Sequence, residues 1–431
     1  MSGHRRLKAV VRNIVDLQGQ TTTLPVLALQ DLEARTGRIL PSFRERRVEG
    51  LVKRCEPGDV VFGKLRPYLS KAATVREPMT AVGEFLVLRP SEAKPDYIEY
   101  LLRSAPLVHQ ITALTAGAKM PRVEWGDLGN IGIPVPSRDA QEAVVRYLRH
   151  AELRIAEAVR EKRRLIALMH ERRRLTTQQV VTRGIQPNGT TSASGIQWLG
   201  EVPAAWDVRP AKWFYRETNE RSERGQERLM SVSHLTGVTP RSAKNVTMFM
   251  AASYAGHKLC RPGDLVVNTM WAWMGALGVA SDTGIVSPAY GVYRPLPNGP
   301  LLPAYADQLL RTRPYIDEYT CRSTGIRSSR LRLYPDRFLT VPIVCPLVAE
   351  QQEIVARVTD TTRDLDAAVA ATLREIELLE EYRTRLIADV VTARCDVRAE
   401  AAKLPDVDPD ELDAVLSAAS ADDDVEADDE E

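Results

Sequence analysis

From about Arg138 to Thr182 the chain loses Gly and Pro, and its apolar positions fall on a seven-residue step. Leu148, Ile155 and Met169 mark the step, Lys162 interrupts it, and Ala151, Ala158 and Leu165 follow three residues after the first three positions. The pattern returns with Leu365, Thr372, Leu379 and Leu386, flanked by Val369, Ile376 and Val390. Both stretches read as long amphipathic helices with a heptad seam. A helix of about 35 to 40 residues spans roughly 50 to 60 Å, more than the diameter of a small domain. Two such stripes in one chain bury each other most economically as an antiparallel pair, a coiled-coil spacer between two globular units. Packing against a partner's helices, or of each helix on its own domain, would also cover them.

Ahead of each long helix the periodicity is mixed. Short strand signals bounded by Pro and Gly occur at Leu24 to Leu29, Asp59 to Gly63 and Val82 to Leu88, and again at Leu265 to Asn268 and Gly291 to Arg294. Leucines and isoleucines at three- and four-residue steps then predict helix over 95–115 and 303–319. These two regions are copies of one another. Cys55, Pro57, Gly58, Asp59 and Val61 return 205 residues later as Cys260, Pro262, Gly263, Asp264 and Val266, and Arg89 and Pro90 as Arg294 and Pro295. With small slips the match continues: Leu101, Leu102, Arg103 with Leu309, Leu310, Arg311; Gly117 with Gly325; Pro134 with Pro342; Gln141, Glu142 with Gln352, Glu353; Val180, Val181, Thr182 with Val390, Val391, Thr392. So long a period means a duplicated domain rather than a solenoid.

The expected fold class is therefore α+β: two tandem mixed domains, each followed by a long helix, the two helices forming an antiparallel coiled coil with pseudo-twofold character. The map runs 1–137, first domain; 138–183, helix; 184–195, a Gly, Pro, Asn and Ser-rich linker; 196–347, second domain; 348–395, helix; 396–431, an acidic tail.

Charge changes this picture once it is divided along the chain. Residues 406–431 hold 13 of the 57 acidic groups and no Lys or Arg, which leaves 58 basic against 44 acidic groups in the rest. A basic body suits a polyanionic partner, and the tail reads as a disordered, solubilising segment. Five cysteines, none at metal-ligand spacing, argue for reduced thiols. Without a run of about 18 apolar residues or a secretory stretch, the expected location is cytoplasmic.

Catalytic signatures are missing. The chain has no phosphate-binding Gly-rich loop, no Asn-Pro-Pro-aromatic or Asp-Pro-Pro-aromatic tetrapeptide, and six histidines with none paired at metal-ligand spacing. Asp59 with Glu92 and Lys94 resembles a metal-dependent nuclease pattern. The second copy keeps Asp264 but places Pro297, Asn298 and Gly299 where the Glu-x-Lys would fall, so the carboxylate belongs to the repeated turn. After that turn and its strand the copies diverge: Gly63, Lys64, Leu65, Arg66, Pro67, Tyr68 in one; Asn268, Thr269, Met270, Trp271, Ala272, Trp273 in the other. A kept frame with a changed tip suits recognition of two different targets. Lys64, Arg66 and Lys71 offer phosphate or guanine contacts, while Tyr68, Trp271 and Trp273 offer flat surface. A second tip carries Lys119 and Arg122, and in the other copy Arg327, Arg330 and Arg332. Hydrophobic core is the competing reading for the two tryptophans.

This arrangement resembles the DNA-specificity subunit of type I restriction-modification systems. The residues that carry the likeness are Gly195 to Pro203 with Trp206, similar to the entry of that family's target-recognition domain, Gly325 to Leu331 with Val341 to Ile343, similar to its exit, and Glu350 to Val355, similar to the start of its conserved helix; Gln141 to Val144 resemble that start more weakly. The first copy lacks the tryptophan-rich entry, and only Arg6, Leu7 and Lys8 suggest its end. The resemblance implies a non-catalytic subunit that reads a bipartite, asymmetric site in double-stranded DNA. It implies two partner methyltransferase subunits acting on adenine N6, and restriction subunits, with S-adenosylmethionine, ATP and Mg²⁺ bound by those partners rather than by this chain. A coiled-coil scaffold for protein ligands and a stand-alone DNA-binding regulator are the alternatives.

Overall fold

The computed structural model describes residues 3–18, 24–45, 50–115, 120–186, 189–243, 253–326 and 330–428. They form two compact units, residues 1–166 with 371–431, and residues 167–370. The division crosses both long helices instead of falling at the linker, so each unit holds one mixed region and parts of both helices. Among the described residues no helix is long and apolar enough to cross a membrane.

The first unit is built on a four-stranded antiparallel sheet, in the order Val11–Ile14, Phe85–Pro90, Val60–Gly63, Ala72–Thr74. Alternate residues point to opposite faces of a strand, and here both faces are covered. Val60, Phe62 and Leu88 pack with Tyr97 and Ile98 on one side; Val61, Ala73 and Val87 pack with Leu27 and Phe43 on the other. That double burial explains an unbroken apolar run where a half-exposed strand would alternate. The second unit repeats the layout, with Leu265 and Val267 facing one core and Val266 and Val292 the other.

Each helical stretch expected as one piece is two. Helix α1 (Pro95–Arg103) stops at Ser104, and α2 (Ala105–Ala113) begins with Pro106 in its first turn. Proline has no N–H for the preceding turn, so the chain leaves the helix and restarts. The buried face of α1 carries charge. The Arg103 guanidinium contacts Glu99 Oε1 at 2.9 Å and Glu152 Oε1 at 2.7 Å, and the Tyr100 hydroxyl donates to Glu152 Oε2 at 2.7 Å.

The long helices are α3 (Arg138–Arg183) and, in the second copy, α6 (Val348–Val391), reached after α4 (Pro303–Leu310) and α5 (Arg313–Arg322). They run antiparallel within both units: Lys162 pairs with Glu375 in the first, and Arg173 with Asp366 at 2.8 Å in the second. The seam on α6 is as expected, with Thr372, Ile376 and Val390 buried. On α3 Leu148 and Ile155 are buried as expected, and only the companion row lies one residue further along. Glu152, Val159 and Ile166 are covered, whereas Leu165 is 44% exposed. Residues i+3 and i+4 lie on opposite sides of i at 100° per residue, and Glu152 is claimed by the Arg103 network on one of those sides.

Buried glutamines correct the repeat register. Gln141 accepts the Lys94 N–H at 2.7 Å and donates to the Pro136 carbonyl at 2.9 Å; Gln351, not Gln352, makes the matching bonds, from Leu302 N–H and to Pro346, both at 2.8 Å. Tyrosines show how the copies share helices. The Tyr305 hydroxyl donates to the Val181 carbonyl at 2.8 Å, at the end of α3, while its counterpart Tyr97 lies 3.4 Å from the Val391 carbonyl, at the end of α6. Each mixed region therefore seats the end of the other copy's helix. In the second unit Leu199, Val202 and Trp206 cover that end, and Trp206 Nε1 donates to Glu350 at 3.0 Å. In the first, Val397, from beyond α6, joins the main core.

The acidic tail is a correction. Residues Pro409–Asp428 form a helix, α7, rather than a disordered segment, and a single turn at Arg398–Ala401 precedes it. Val407, Leu412 and Leu416 are buried against Ala156 of the first unit. Asp and Glu dominate the composition and hide that four-residue apolar step. Asp413 is half-buried beside them, and its carboxyl is pushed up to about 6, by burial first and then by Glu99 and Asp410 against the opposing Arg76 and Arg38. A carboxyl raised above its ordinary 3.8 binds a proton that the free helix would release. Its contribution to docking is thus complete below about pH 4 and lost as the pH climbs to about 6. Asp413→Asn should flatten this part of the dependence, read as amide protection of residues 409–419 across that range; an unchanged slope would assign it to other carboxylates.

Candidate nucleic-acid interface

The repeated turn has a repeated reason. The Asp59 carboxylate accepts the Glu56 N–H at 2.9 Å and is gripped by both Nε and Nη2 of Arg89 at 2.7 and 2.8 Å. Asp264 does the same with Arg261 N–H at 2.9 Å and with Arg294 at 3.0 and 2.9 Å. The bidentate pair ties the turn that launches the central strand to the neighbouring strand. Gly58 and Gly263 supply the left-handed backbone at φ +90° and +91°. The nuclease pattern is not assembled: Asp59 is committed to Arg89, Glu92 pairs with Arg5, and Lys94 pairs with Glu142 at 2.9 Å. The Cys55 thiol beneath the turn is buried and pushed up to about 12 by desolvation, and Cys260 to about 11, so both stay protonated as small apolar groups.

Beyond the strand both copies build tips on matching bonds, although Arg66 is left-handed at φ +49° with its N–H on the Pro121 carbonyl, whereas Trp271 has φ −123° with its N–H on Asn268. Gly63 N–H donates to the Lys71 carbonyl and Asn268 N–H to Ala276, each at 2.9 Å. A 3-10 turn follows at Pro67–Leu69 and at Ala272–Met274, closed by a left-handed residue, Ser70 at φ +53° and Gly275 at φ +89°. The later loop is stitched on equivalently, by Val123 N–H to the Lys64 carbonyl at 3.1 Å and Leu333 N–H to Thr269 at 2.9 Å. In this frame Arg66 coincides with Trp271, and Tyr68 with Trp273. Arg66 and Tyr68 are exposed. Trp271 is 41% exposed and stacks on Trp273, centroids 6.3 Å apart and planes 22° from parallel. Trp273 is half-buried, its indole N–H donating to the Met270 carbonyl at 2.9 Å.

The remaining cations divide. Lys71 is drawn inward to the Leu29 carbonyl at 2.6 Å, and burial lowers the pKa of its amine. Lys64 turns to Glu124, 3.8 Å away, and Arg122 is held by Glu84 at 2.5 Å. Lys64 and Lys71 shape the tip from within, whereas the Arg122 side chain, though paired, stays 40% exposed. Arg330 and Arg332 are exposed, and with Met270, Gly325 and Tyr334 they line a shallow cavity of about 560 Å³ beside the tryptophan pair. Lys119 and Arg327 lie outside the described residues.

One cation escaped the sequence reading. Arg35 is exposed, its N–H donates to the Leu69 carbonyl of the tip at 3.1 Å, and it takes a left-handed φ of +66°. The signal available was the turn Ala34-Arg35-Thr36-Gly37, which gave no hint of its spatial neighbour.

No protein-family model and no curated protein matches the sequence. Solved structures do match in fold. A chain from a study of complex assembly and conformational transition of the type I R-M system is 19% identical, with a TM-score of 0.63 over 91% of this chain and 98% of that one. The HsdS subunit from Thermoanaerobacter tengcongensis is also 19% identical, with a TM-score of 0.51 over 91% of this chain and 97% of that one. At this identity the likeness is one of architecture, and the two mixed regions with their antiparallel long helices have the fold of type I restriction-modification specificity-subunit structures.

Proposed function

We propose that this chain is the non-catalytic DNA-reading subunit of a type I restriction-modification assembly, with each unit's tip reading one part of a split, asymmetric site. The observation that carries the reading is the tip pair: matching bonds from Gly63 and Asn268, from the 3-10 turns and from the later loops frame Arg66 and Tyr68 in one copy and Trp271 and Trp273 in the other. An arginine fork can grip the O6 and N7 of guanine, whereas an indole pair offers an apolar face to a thymine methyl or a sugar edge. In this reading the exposed Arg330, Arg332 and Arg35 hold phosphates and fix register. Methyl transfer to adenine N6 belongs to partner methyltransferase subunits that bring S-adenosylmethionine, and cleavage to restriction subunits that bring ATP and Mg²⁺. The fold likeness supports this division, since one matching chain comes from a study of such an assembly.

The test is modification-sensitive sequencing of host DNA before and after this gene and a neighbouring methyltransferase gene are restored together. N6-methyladenine should appear at one new bipartite motif. Soluble, co-purifying partners with no new motif would reject the reading in favour of a scaffold; tight sequence-specific binding by the chain alone would favour a stand-alone regulator.

A further inference from the structure

Beside each tip lies a second repeated feature that sequence spacing hides. In the first unit the chain turns between Leu32 and Ile39, which pair across the turn, and in the second between the paired strands Met230–Ser233 and Gly237–Pro240. Gly37 and Gly237 are 200 residues apart, whereas the Cys-x-Pro-Gly-Asp motif repeats at 205. Their supports nevertheless match. Both glycines follow a threonine and are left-handed, at φ +78° and +67°. A Cβ on either would meet the same two groups, the guanidinium of Arg103 at 3.0 Å or Arg311 at 3.2 Å, and the carbonyl of Ala72 or Leu277 that starts the strand leaving the tip. The arginine also grips the residue two places before the glycine. Arg103 Nε donates to the Arg35 carbonyl at 3.2 Å; Arg311 Nη2 donates to the Leu235 carbonyl at 2.7 Å and to that of His234 at 2.9 Å. Beneath the turns, Leu32 is buried with Cys55 and Val61, and Val232 with Cys260 and Val266.

Residues 35 and 235 therefore hold corresponding places in two copies of one frame, and they are unlike. Arg35 is exposed, and among the described residues its guanidinium forms no ion pair, since the turn's own carboxylate, Glu33, is held by Arg38 at 2.8 Å. Leu235 is 51% exposed and is followed by the exposed Thr236. Both adjoin a tip. The Arg35 N–H bonds to Leu69 in the first tip's 3-10 turn, and Leu277, on which the second turn rests, donates its N–H at 2.8 Å to Gly275, the residue that closes the second tip's 3-10 turn. A protein partner docking alike on both units would need like residues at this place. Two unlike halves of a DNA site need unlike ones.

We propose that each turn is a second DNA contact beside its tip, and that the two contacts differ in kind: Leu235 lies against a thymine methyl and so reads a base, whereas the Arg35 guanidinium holds a phosphate. The proposal rests on the nucleic-acid reading of the tips.

The test uses the full chain in complex with its methyltransferase partner and a duplex carrying its recognition site. The half read by the second unit is the one whose preference Trp271→Ala with Trp273→Ala abolishes, and in it each thymine is replaced in turn by deoxyuridine, which lacks the methyl. At one thymine the unaltered complex should lose roughly fourfold in affinity, the worth of one buried methyl. Leu235→Ala should erase that penalty, and the tryptophan variant should leave it in place. Arg35→Ala should reduce the slope of log affinity against log salt by about one and leave base preference unchanged. Leu235→Arg should steepen the slope by about one while losing the thymine preference. Absence of any penalty that Leu235→Ala removes would overturn the base contact, and an unchanged slope for Arg35→Ala the phosphate contact. Failure of Leu235→Arg to co-purify with the methyltransferase would overturn the proposal in favour of a protein contact. If the tryptophan variant and Arg66→Ala with Tyr68→Ala also change nothing, the DNA reading of the tips falls with it; if those act and the turn variants do not, only the second contact falls.

Discussion

Arg103→Leu will destabilise the first unit by about 3–5 kcal/mol, the range for leaving buried charge without its partner. The guanidinium is 2% exposed and touches two carboxylates, Glu99 and Glu152, that are themselves nearly sealed from solvent. Burial pushes the Glu99 carboxyl up, with Arg103 the main opposing influence. Removing the cation leaves two acids in low dielectric, one of which must take a proton. The same protein supplies the control. Arg311 occupies the corresponding place in the second copy, but it is 24% exposed and bonds to the carbonyls of His234 and Leu235 at 2.9 and 2.7 Å. It also lies 3.7 Å from Asp307, itself 27% exposed and so reachable by water once unpaired; Arg311→Leu should therefore cost less, about 1.5–3 kcal/mol, the range for hydrogen bonds to a charged group. Amide exchange followed separately in the two units, through denaturant, distinguishes these losses; equal losses would mean the network is inert. Replacing Arg103, Glu99 and Glu152 together by apolar residues should restore much of the stability, because no unpaired charge remains.

Trp271→Ala with Trp273→Ala should weaken recognition of one half-site by about 10- to 100-fold and leave the other half's base preference intact, as aromatic and base contacts are each worth about 1–3 kcal/mol. Arg66→Ala with Tyr68→Ala should do the mirror experiment on the other half. The prediction is sharp because the frame is not touched: Gly63, Asn268 and the bonds that stitch the later loop stay in place. Binding of the assembled complex to duplexes randomised in one half at a time reads the result. Loss of preference in both halves from either pair would show that the tips are structural supports. Lys71 and Arg122 give a second contrast, since each is tied to protein groups; their replacement should disturb the tip's shape and stability more than the salt dependence of binding.

The duplication, the long helices and the tip divergence were all legible in the sequence because each rests on local pattern. Heptad spacing follows from helix geometry, and the Pro-Gly-Asp turn from the backbone freedom of Gly58 and Gly263. The misses are of a different kind. Leu165 was assigned to the seam, and Ile166 takes the place, because sequence spacing leaves open which side of the stripe a neighbour will claim. The glutamine register slipped by one because Gln351 and Gln352 are interchangeable as letters, and only one reaches the Pro346 and Leu302 backbone. Composition made 406–431 look disordered, yet Leu412 and Leu416 are enough to seat a helix once a surface is present to receive them.

By itself, then, the sequence determined the repeated frame, the two helices and the residues placed at each tip, all of them consequences of periodicity and backbone preference within a few residues. The tertiary structure decided which tip cations remain in solvent, that Arg35 joins them, and that α7 lies against the first unit. Those outcomes depend on carboxylates, carbonyls and apolar faces brought together from distant parts of the chain, and a side chain's exposure and charge environment exist only once those partners are in place.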